Sequence, residues 1–135
     1  MVDFEKLEKR RNMGFMKEIG LKMLEICEGY AKAELVLQPM HANPIGSTHG
    51  GVIFTIADTV GGTAASSRGR MVTTVSANIN YLSPAMNCEK LIGESREIKV
   101  GKNICVYEVT ISDETGRDIA IATLTYYYLG EWNLN

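Results

Sequence analysis

The sequence has no long apolar run, few cysteines and little excess charge. No stretch reaches the roughly eighteen apolar residues that a membrane-spanning helix needs. The three cysteines, Cys27, Cys88 and Cys105, are isolated and odd in number, which predicts neither a disulfide framework nor a CxxC metal site. Two histidines without neighbouring cysteines are too few for a zinc site. A formal net charge of -2 removes the electrostatic attraction on which nucleic-acid binding depends.

The N-terminal segment also lacks the features of a targeting signal. It begins MVDFEKLEKRRNMGF, with acids among its bases and no continuous apolar core, so no secretory or mitochondrial leader is predicted. Together with isolated cysteines this favours a reducing compartment, and we expect a cytoplasmic protein. With 45% hydrophobic and 22% charged residues, the 135 residues are typical of one domain, expected over 1–135.

Hydrophobic periodicity predicts an α+β chain. A helix over about 3–18, within an N-terminal segment 1–20, precedes a strand-like segment over 21–38. The segment 50–67 is apolar on nearly every face and rich in small residues, as in a buried central helix. Four strand patterns follow, over 71–82, 89–100, 103–113 and 118–129. An antiparallel sheet wrapped around the central helix satisfies this order, and a partner subunit pairing edge to edge would complete the cover.

One ionisable residue, Asp58, interrupts the central helix. Burying a carboxylate is costly unless it is hydrogen-bonded or paired, and no basic residue lies one helical turn away. Asp58 is therefore either a structural aspartate bonded to a neighbouring strand or a general base or nucleophile in a groove. If the helix begins at Gly50, its first amides lack intrahelical acceptors, and this positive end can bind a developing oxyanion. The alternative is that Gly50 and Gly51 only allow a tight turn.

A larger motif surrounds these residues. The pattern Asn43-x-x-Gly46-x-x-His49-Gly50-Gly51, followed seven residues later by Asp58, resembles the signature of hotdog-fold thioesterases. It is most similar to the PaaI-like branch, which contains phenylacetyl-CoA and THEM-type acyl-CoA thioesterases. The similarity continues through the segments 78–85, 101–102 and 125–126. The resemblance implies a hotdog fold that hydrolyses acyl-CoA without metal or cofactor, in a homodimer with composite sites that commonly forms a homotetramer.

The resemblance also implies roles for individual residues. The Gly50 amide would polarise the thioester carbonyl, and Asp58 of the opposite subunit would act as general base or nucleophile. Asn43 would hold the carbonyl or the water, and Thr74 falls where relatives have a hydroxyl that orients water. His49 would organise the loop rather than act as the base. Thr74 and Ser76 are expected on one face of their strand, with Ser76 as the second choice.

Coenzyme A carries phosphates, so basic groups at the mouth of the groove are candidate contacts. The resemblance favours the regions 68–70 and 101–103, although surface cations are often simply solvated. The candidate substrate-binding residues are Gly51, Arg68, Arg70, Ser76, Lys102 and Asn103.

Other chemistries have weaker signals. The three cysteines fall in or near strand patterns and are predicted to be buried thiols rather than nucleophiles. No GxSxG, Walker A or GxGxxG motif is present, and Tyr126 to Tyr128 are expected to pack. Two other functions stay open: a non-catalytic acyl-CoA sensor and a hydratase or dehydratase on the same fold. Neither the acyl group nor the choice between coenzyme A and an acyl-carrier protein follows from the sequence.

Overall fold

The structure is a computed structural model that describes residues 2–132. The ends of the expected 1–135 domain, residue 1 and residues 133–135, lie outside the described residues. In chain order the elements are α1 (Phe4–Arg11), α2 (Gly14–Ile19), β1 (Leu21–Cys27), β2 (Tyr30–Val36), a 3₁₀ turn (Pro39–His41), α3 (Gly50–Ser66), β3 (Arg70–Tyr81), β4 (Lys90–Val100), β5 (Ile104–Asp113) and β6 (Asp118–Glu131).

All six strands form one antiparallel sheet in the order β1-β2-β4-β5-β6-β3. Helix α3 packs against the inner face of this sheet, where apolar side chains of the two layers interdigitate. Gly93 of β4 lets Ile56 and Val60 come close, because a Cβ there would lie 2.7 Å from Ile56. This arrangement confirms the α+β hotdog architecture. No helix within residues 2–132 is long and apolar enough to cross a membrane.

The expectation of one strand over 21–38 is wrong. The segment is a hairpin of β1 and β2, in which Cys27 pairs with Tyr30 across a two-residue turn. Gly29 makes the turn possible by adopting a φ of 78°, a conformation that favours glycine. The register of β1 also shifts between Met23 and Glu25. That shift changes the alternation along β1, so the hydrophobic pattern did not show where one strand ends and the next begins.

The expectation of one continuous N-terminal helix over 3–18 is also wrong. Asp3 caps α1 as expected, since its Oδ1 accepts a hydrogen bond from the Lys6 amide at 3.1 Å. The helix then ends at Asn12, and the chain turns before α2 begins at Gly14. Gly14 adopts a φ of 60°, which a right-handed helix does not contain. The break lets α1 pack along α3 while α2 leads into the sheet.

Asp113 fixes the turn between β5 and β6. Its Oδ1 accepts hydrogen bonds from the Thr115 hydroxyl at 2.6 Å, the Thr115 amide at 2.9 Å and the Arg117 amide at 3.1 Å. The Thr115 hydroxyl and these amides lower the pKa of Asp113 to about 2, below its value in an unfolded chain. Ionised Asp113 therefore stabilises the fold at neutral pH.

We expect Asp113→Asn to lower the melting temperature at pH 7. Because the pKa of Asp113 is depressed by folding, its contribution is present above about pH 4 and is lost as the pH falls towards 2. The difference in melting temperature between wild type and variant should therefore shrink between pH 4 and pH 2. Asp118→Asn, at an exposed position on β6, is the matched control and should change little. A difference that stays constant down to pH 2 would contradict this assignment.

Candidate active site

Asp58 lies half-buried on α3, facing the strands β3 and β6. Its Oδ1 accepts hydrogen bonds from the Thr74 hydroxyl at 2.7 Å and from the Tyr126 hydroxyl at 3.2 Å. The Tyr126 hydroxyl is also 3.1 Å from the carbonyl oxygen of Asp58. No donor within residues 2–132 contacts Oδ2. One oxygen of the carboxylate is therefore held by the sheet, and the other is available to a ligand or to water.

A cavity of about 360 Å³ opens beside this carboxylate. Its walls are partly apolar, with Phe15 and Phe54 on one side, and they include Arg11 from α1. The Arg11 guanidinium donates hydrogen bonds to the Gly62 carbonyl at 3.2 Å and the Ser66 hydroxyl at 3.0 Å. Burial lowers the pKa of Arg11, and the nearby Asp58 carboxylate opposes that effect. The cavity thus combines apolar walls, a carboxylate and a cation.

The N-terminus of α3 presents one backbone amide without a partner. Nδ1 of His49, the N-cap residue, accepts a hydrogen bond from the Gly51 amide at 2.8 Å. The amides of Val52 and Ile53 donate to the carbonyl of His49. Among residues 2–132 no acceptor is within reach of the Gly50 amide, which borders a second cavity of about 460 Å³. His49 thus acts as a helix cap, and Gly50 supplies the free donor at the positive end of the helix dipole.

The loop before α3 is held by its own side chains. Oδ1 of Asn43 accepts hydrogen bonds from the Ile45 and Ser47 amides, each at 3.1 Å, and its Nδ2 donates to the Ser47 hydroxyl at 2.8 Å. Buried His41 donates from Nε2 to the Ile19 carbonyl at 2.7 Å and accepts the Gln38 amide at Nδ1. Asn43 therefore shapes the loop that presents Gly50, and His41 ties that loop to the end of α2.

Gly50 and Asp58 of one chain border different cavities. Eight residues separate them on α3, which corresponds to about 12 Å along the helix axis. Tyr81 fills the space next to Gly50, since its hydroxyl donates to the Gly50 carbonyl at 2.9 Å. The two groups are too far apart to act on the same carbonyl within a single chain.

The expectation that Thr74 and Ser76 share a face is wrong. Thr74 pairs with Tyr126 and Ser76 pairs with Thr125, so two steps along β3 match one step along β6. Val75 is the extra residue of this β-bulge, which reverses the side on which the following residues point. Thr74 faces α3 and Asp58, whereas Ser76 lies on the outer face of the sheet, away from both cavities.

The basic candidates separate into two groups. Arg68 donates to both carboxylate oxygens of Glu97 and to Glu28, all at 2.8 Å, so its guanidinium ties the β1–β2 hairpin to β4. This engagement lowers the pKa of Glu97. A phosphate would therefore compete with two carboxylates for Arg68, and its role as a phosphate contact stays a prediction.

Arg70, Lys102 and Asn103 lie together at one end of the sheet. The guanidinium of Arg70 donates to the Lys102 carbonyl at 3.2 Å and stacks 3.5 Å above the ring of Tyr128. The Asn103 carbonyl accepts the Tyr128 amide at 2.9 Å. Lys102 and Asn103 are exposed. Arg70 is the first residue of β3 and precedes Thr74 by four residues. This spacing places Arg70 about 13 Å from Thr74 along the strand.

One cluster of three side chains contains residue types that can bind a metal ion. Ligand atoms of Cys88, Asp113 and Glu114 lie within 4.8 Å of one another. Asp113 and Glu114 already accept backbone amides of the adjacent turns, and burial raises the pKa of the Cys88 thiol. These residues therefore serve the turns, and the absence of a metal stays a prediction.

Sequence reasoning missed Tyr126, Arg11 and Tyr81. Tyr126 was expected only to pack, although its hydroxyl contacts Asp58. The pair Gly61-Gly62 was a usable signal, since it predicts that another group approaches the helix backbone one turn after Asp58. Arg11 and Tyr81 left no comparable signal, because their partners lie far away in the sequence.

The chain is similar to known proteins of one family. Residues 45–120 match the thioesterase superfamily. A putative esterase of Archaeoglobus fulgidus is 31% identical over 131 residues, covering 97% of this chain and 85% of the relative. The acyl-coenzyme A thioesterase PaaI of Escherichia coli is 26% identical over 105 residues, covering 78% and 75%.

Solved structures share the fold. The E. coli PaaI protein superposes with a TM-score of 0.87 at 23% identity, covering 94% of this chain and 96% of that one. The protein smu.793 of Streptococcus mutans, bound to acetyl CoA, superposes with a TM-score of 0.81 at 26% identity, covering 84% and 92%. The chain belongs to the thioesterase superfamily, as a PaaI-like hotdog thioester hydrolase.

Proposed function

We propose that the protein hydrolyses acyl-CoA thioesters to the free acid and coenzyme A, with Asp58 as general base or nucleophile and the Gly50 amide as carbonyl donor. The observation that carries the proposal is the Asp58 carboxylate, which lines a cavity and whose Oδ1 alone accepts hydrogen bonds from residues 2–132. Thr74 already donates its proton to Asp58, so it acts on water only through its lone pairs or through Asp58.

Hydrolysis needs a nucleophile and a site for negative charge. As general base, Oδ2 of Asp58 takes a proton from water while the water oxygen bonds to the thioester carbon. The carbonyl oxygen then carries the negative charge, which the Gly50 amide and the helix dipole stabilise. Collapse of this intermediate breaks the carbon–sulfur bond, and the departing thiolate receives the proton from Asp58. If Asp58 attacks directly, water hydrolyses the resulting anhydride in a second step.

The separation of Gly50 from Asp58 supports a homodimer with composite sites. Two α3 helices that run antiparallel about a two-fold axis bring Gly50 of one chain opposite Asp58 of the other. The edge strand β3 has an exposed row of unpaired backbone groups along its twelve residues, and a second copy would pair with it. Pairing of dimers into a homotetramer stays a prediction.

Two observations support coenzyme A as the carrier. The E. coli relative is an acyl-coenzyme A thioesterase, and the S. mutans structure contains acetyl CoA. Arg70 and exposed Lys102 provide positive charge at one end of β3, and such groups can bind a phosphate. A cytoplasmic location fits this substrate.

The direct test is thiol release from short-chain, long-chain, aromatic and hydroxylated acyl-CoAs by the wild-type protein. We expect turnover of at least one class, with the acid and coenzyme A formed in equal amounts. Binding of acyl-CoA without thiol release would instead favour a sensor. Hydration of an enoyl-CoA without thiol release would favour a hydratase.

A further inference from the structure

Two hydroxyl groups reach the same oxygen of Asp58 from neighbouring strands. Thr74 and Tyr126 are direct partners in the β3–β6 ladder, so their side chains project side by side towards α3. The Thr74 hydroxyl donates to Oδ1 at 2.7 Å, and the Tyr126 hydroxyl shares its single proton between Oδ1, at 3.2 Å, and the Asp58 carbonyl oxygen, at 3.1 Å. The bulge at Val75 turns the residues that follow Thr74 to the opposite face of the sheet, so Ser76 does not point towards α3 with Thr74. The sheet therefore holds Oδ1 from two sides.

Helix α3 has a glycine where Tyr126 approaches. A Cβ at Gly61 would lie 2.5 Å from the Tyr126 hydroxyl oxygen, closer than any side chain permits. The hydroxyl thus lies against the backbone of α3, next to the Asp58 carboxylate. Glycine costs helix stability at this internal position, and its presence leaves the space that the hydroxyl occupies.

The surroundings keep Tyr126 as a proton donor. Burial and the adjacent Asp58 carboxylate raise the pKa of Tyr126 far above neutrality. The other ionisable groups that face it are Arg11, from α1, and two residues of β5, the buried thiol of Cys105 and Tyr107. The Tyr107 and Tyr126 rings meet edge to face with their centroids 6.5 Å apart, a contact that phenylalanine keeps. Arg11 lines the same cavity as Asp58 and Tyr126. The hydroxyl therefore stays protonated and can donate to Asp58.

We propose that Tyr126 is a positioning residue for the hydrolysis, which fixes Oδ1 of Asp58 and so directs Oδ2 towards the attacking water or, if Asp58 is the nucleophile, towards the carbonyl carbon. This role rests on the proposed function, since it acts through Asp58. Thr74 alone would leave the carboxylate free to rotate about its side-chain bonds. A second donor from β6 removes that freedom and aligns the reacting oxygen before substrate binds.

The test compares Tyr126→Phe with Tyr107→Phe. Tyr107 is the matched control because it is equally buried, and its hydroxyl donates to a carboxylate at 2.7 Å, but that carboxylate is Glu97, outside the cavity. We expect Tyr126→Phe to lower kcat about tenfold or more with KM nearly unchanged. Tyr107→Phe should change neither.

A double variant distinguishes positioning from a general loss of structure. In the Asp58→Asn background, Tyr126→Phe should reduce the residual activity little further, because both changes act through one group. Additive losses, an unchanged kcat in folded Tyr126→Phe, a loss confined to KM, or equal losses in the two Phe variants would each overturn the proposal. An inactive wild-type protein would instead overturn the proposed function, so the two failures can be told apart.

Discussion

Asp58→Asn is expected to lower kcat for acyl-CoA hydrolysis by about 10²- to 10⁴-fold, the usual contribution of a general base. The loss would be larger if Asp58 is the nucleophile. Asparagine retains an oxygen that accepts the Thr74 and Tyr126 hydroxyls, but its amide nitrogen replaces the available Oδ2. It can neither take a proton from water nor attack the carbonyl. The fold should remain intact because its shape and bonded oxygen are kept.

The measurement is thiol release by the two purified proteins with the best substrate of wild type, together with their melting temperatures. Asp118→Asn, at an exposed position on β6, removes the same charge away from both cavities and should retain full activity. Undiminished turnover by folded Asp58→Asn would eliminate the mechanism. A binding measurement with the unhydrolysed acyl-CoA should show that the variant still recognises substrate.

The architecture was predictable where the chain repeats its pattern over many residues. The apolar segment around Asp58 indicates a buried helix, and α3 ends within one residue of the expected bound. The four strand patterns after residue 70 likewise match β3 to β6 within two residues. Long elements are predicted this well because many residues along them repeat the same pattern of apolar and polar side chains. The hairpin turn at Gly29 depends on two residues inside one continuous alternation, and it was missed.

Local geometry and long-range pairing were not predictable. The bulge at Val75 is a single extra residue with no marker in the sequence, yet it decides that Thr74 and not Ser76 faces Asp58. Tyr126 is one of three consecutive tyrosines, and only its register with Thr74 distinguishes it. Arg68 shows the same limit for charges, because the carboxylates that engage it come from distant parts of the chain.

Gly50→Pro is expected to lower kcat by about 10²- to 10³-fold, the usual effect of losing one oxyanion donor. Proline is well tolerated at the first position of a helix, where the missing N–H has no intrahelical partner. The preceding residue, His49, already has φ -59° and ψ 134°, the extended conformation that proline favours before it. The substitution therefore removes one donor while the backbone keeps its path.

Gly50→Ala is the matched control. Its Cβ meets the Tyr81 ring at 3.3 Å, as the proline ring would, but the N–H remains. Both variants place a Cβ against Tyr81, but only the proline variant lacks the backbone N–H at position 50. Comparing their kcat values and melting temperatures therefore separates the effect of the Tyr81 contact from the effect of losing the N–H donor. Equal activity of the two folded variants would contradict the role of the Gly50 amide.

Mixed dimers test whether these two groups come from different chains. A dimer with one Asp58→Asn chain and one Gly50→Pro chain has one site in which both groups are intact, provided that each site draws Gly50 from one chain and Asp58 from the other. Co-expression with two different tags and successive purification isolates this dimer, which should recover about half of wild-type activity. If each site used both groups of one chain, every site would carry a defect and no activity would return. Because about 12 Å of helix separates Gly50 from Asp58 within a chain, we expect recovery.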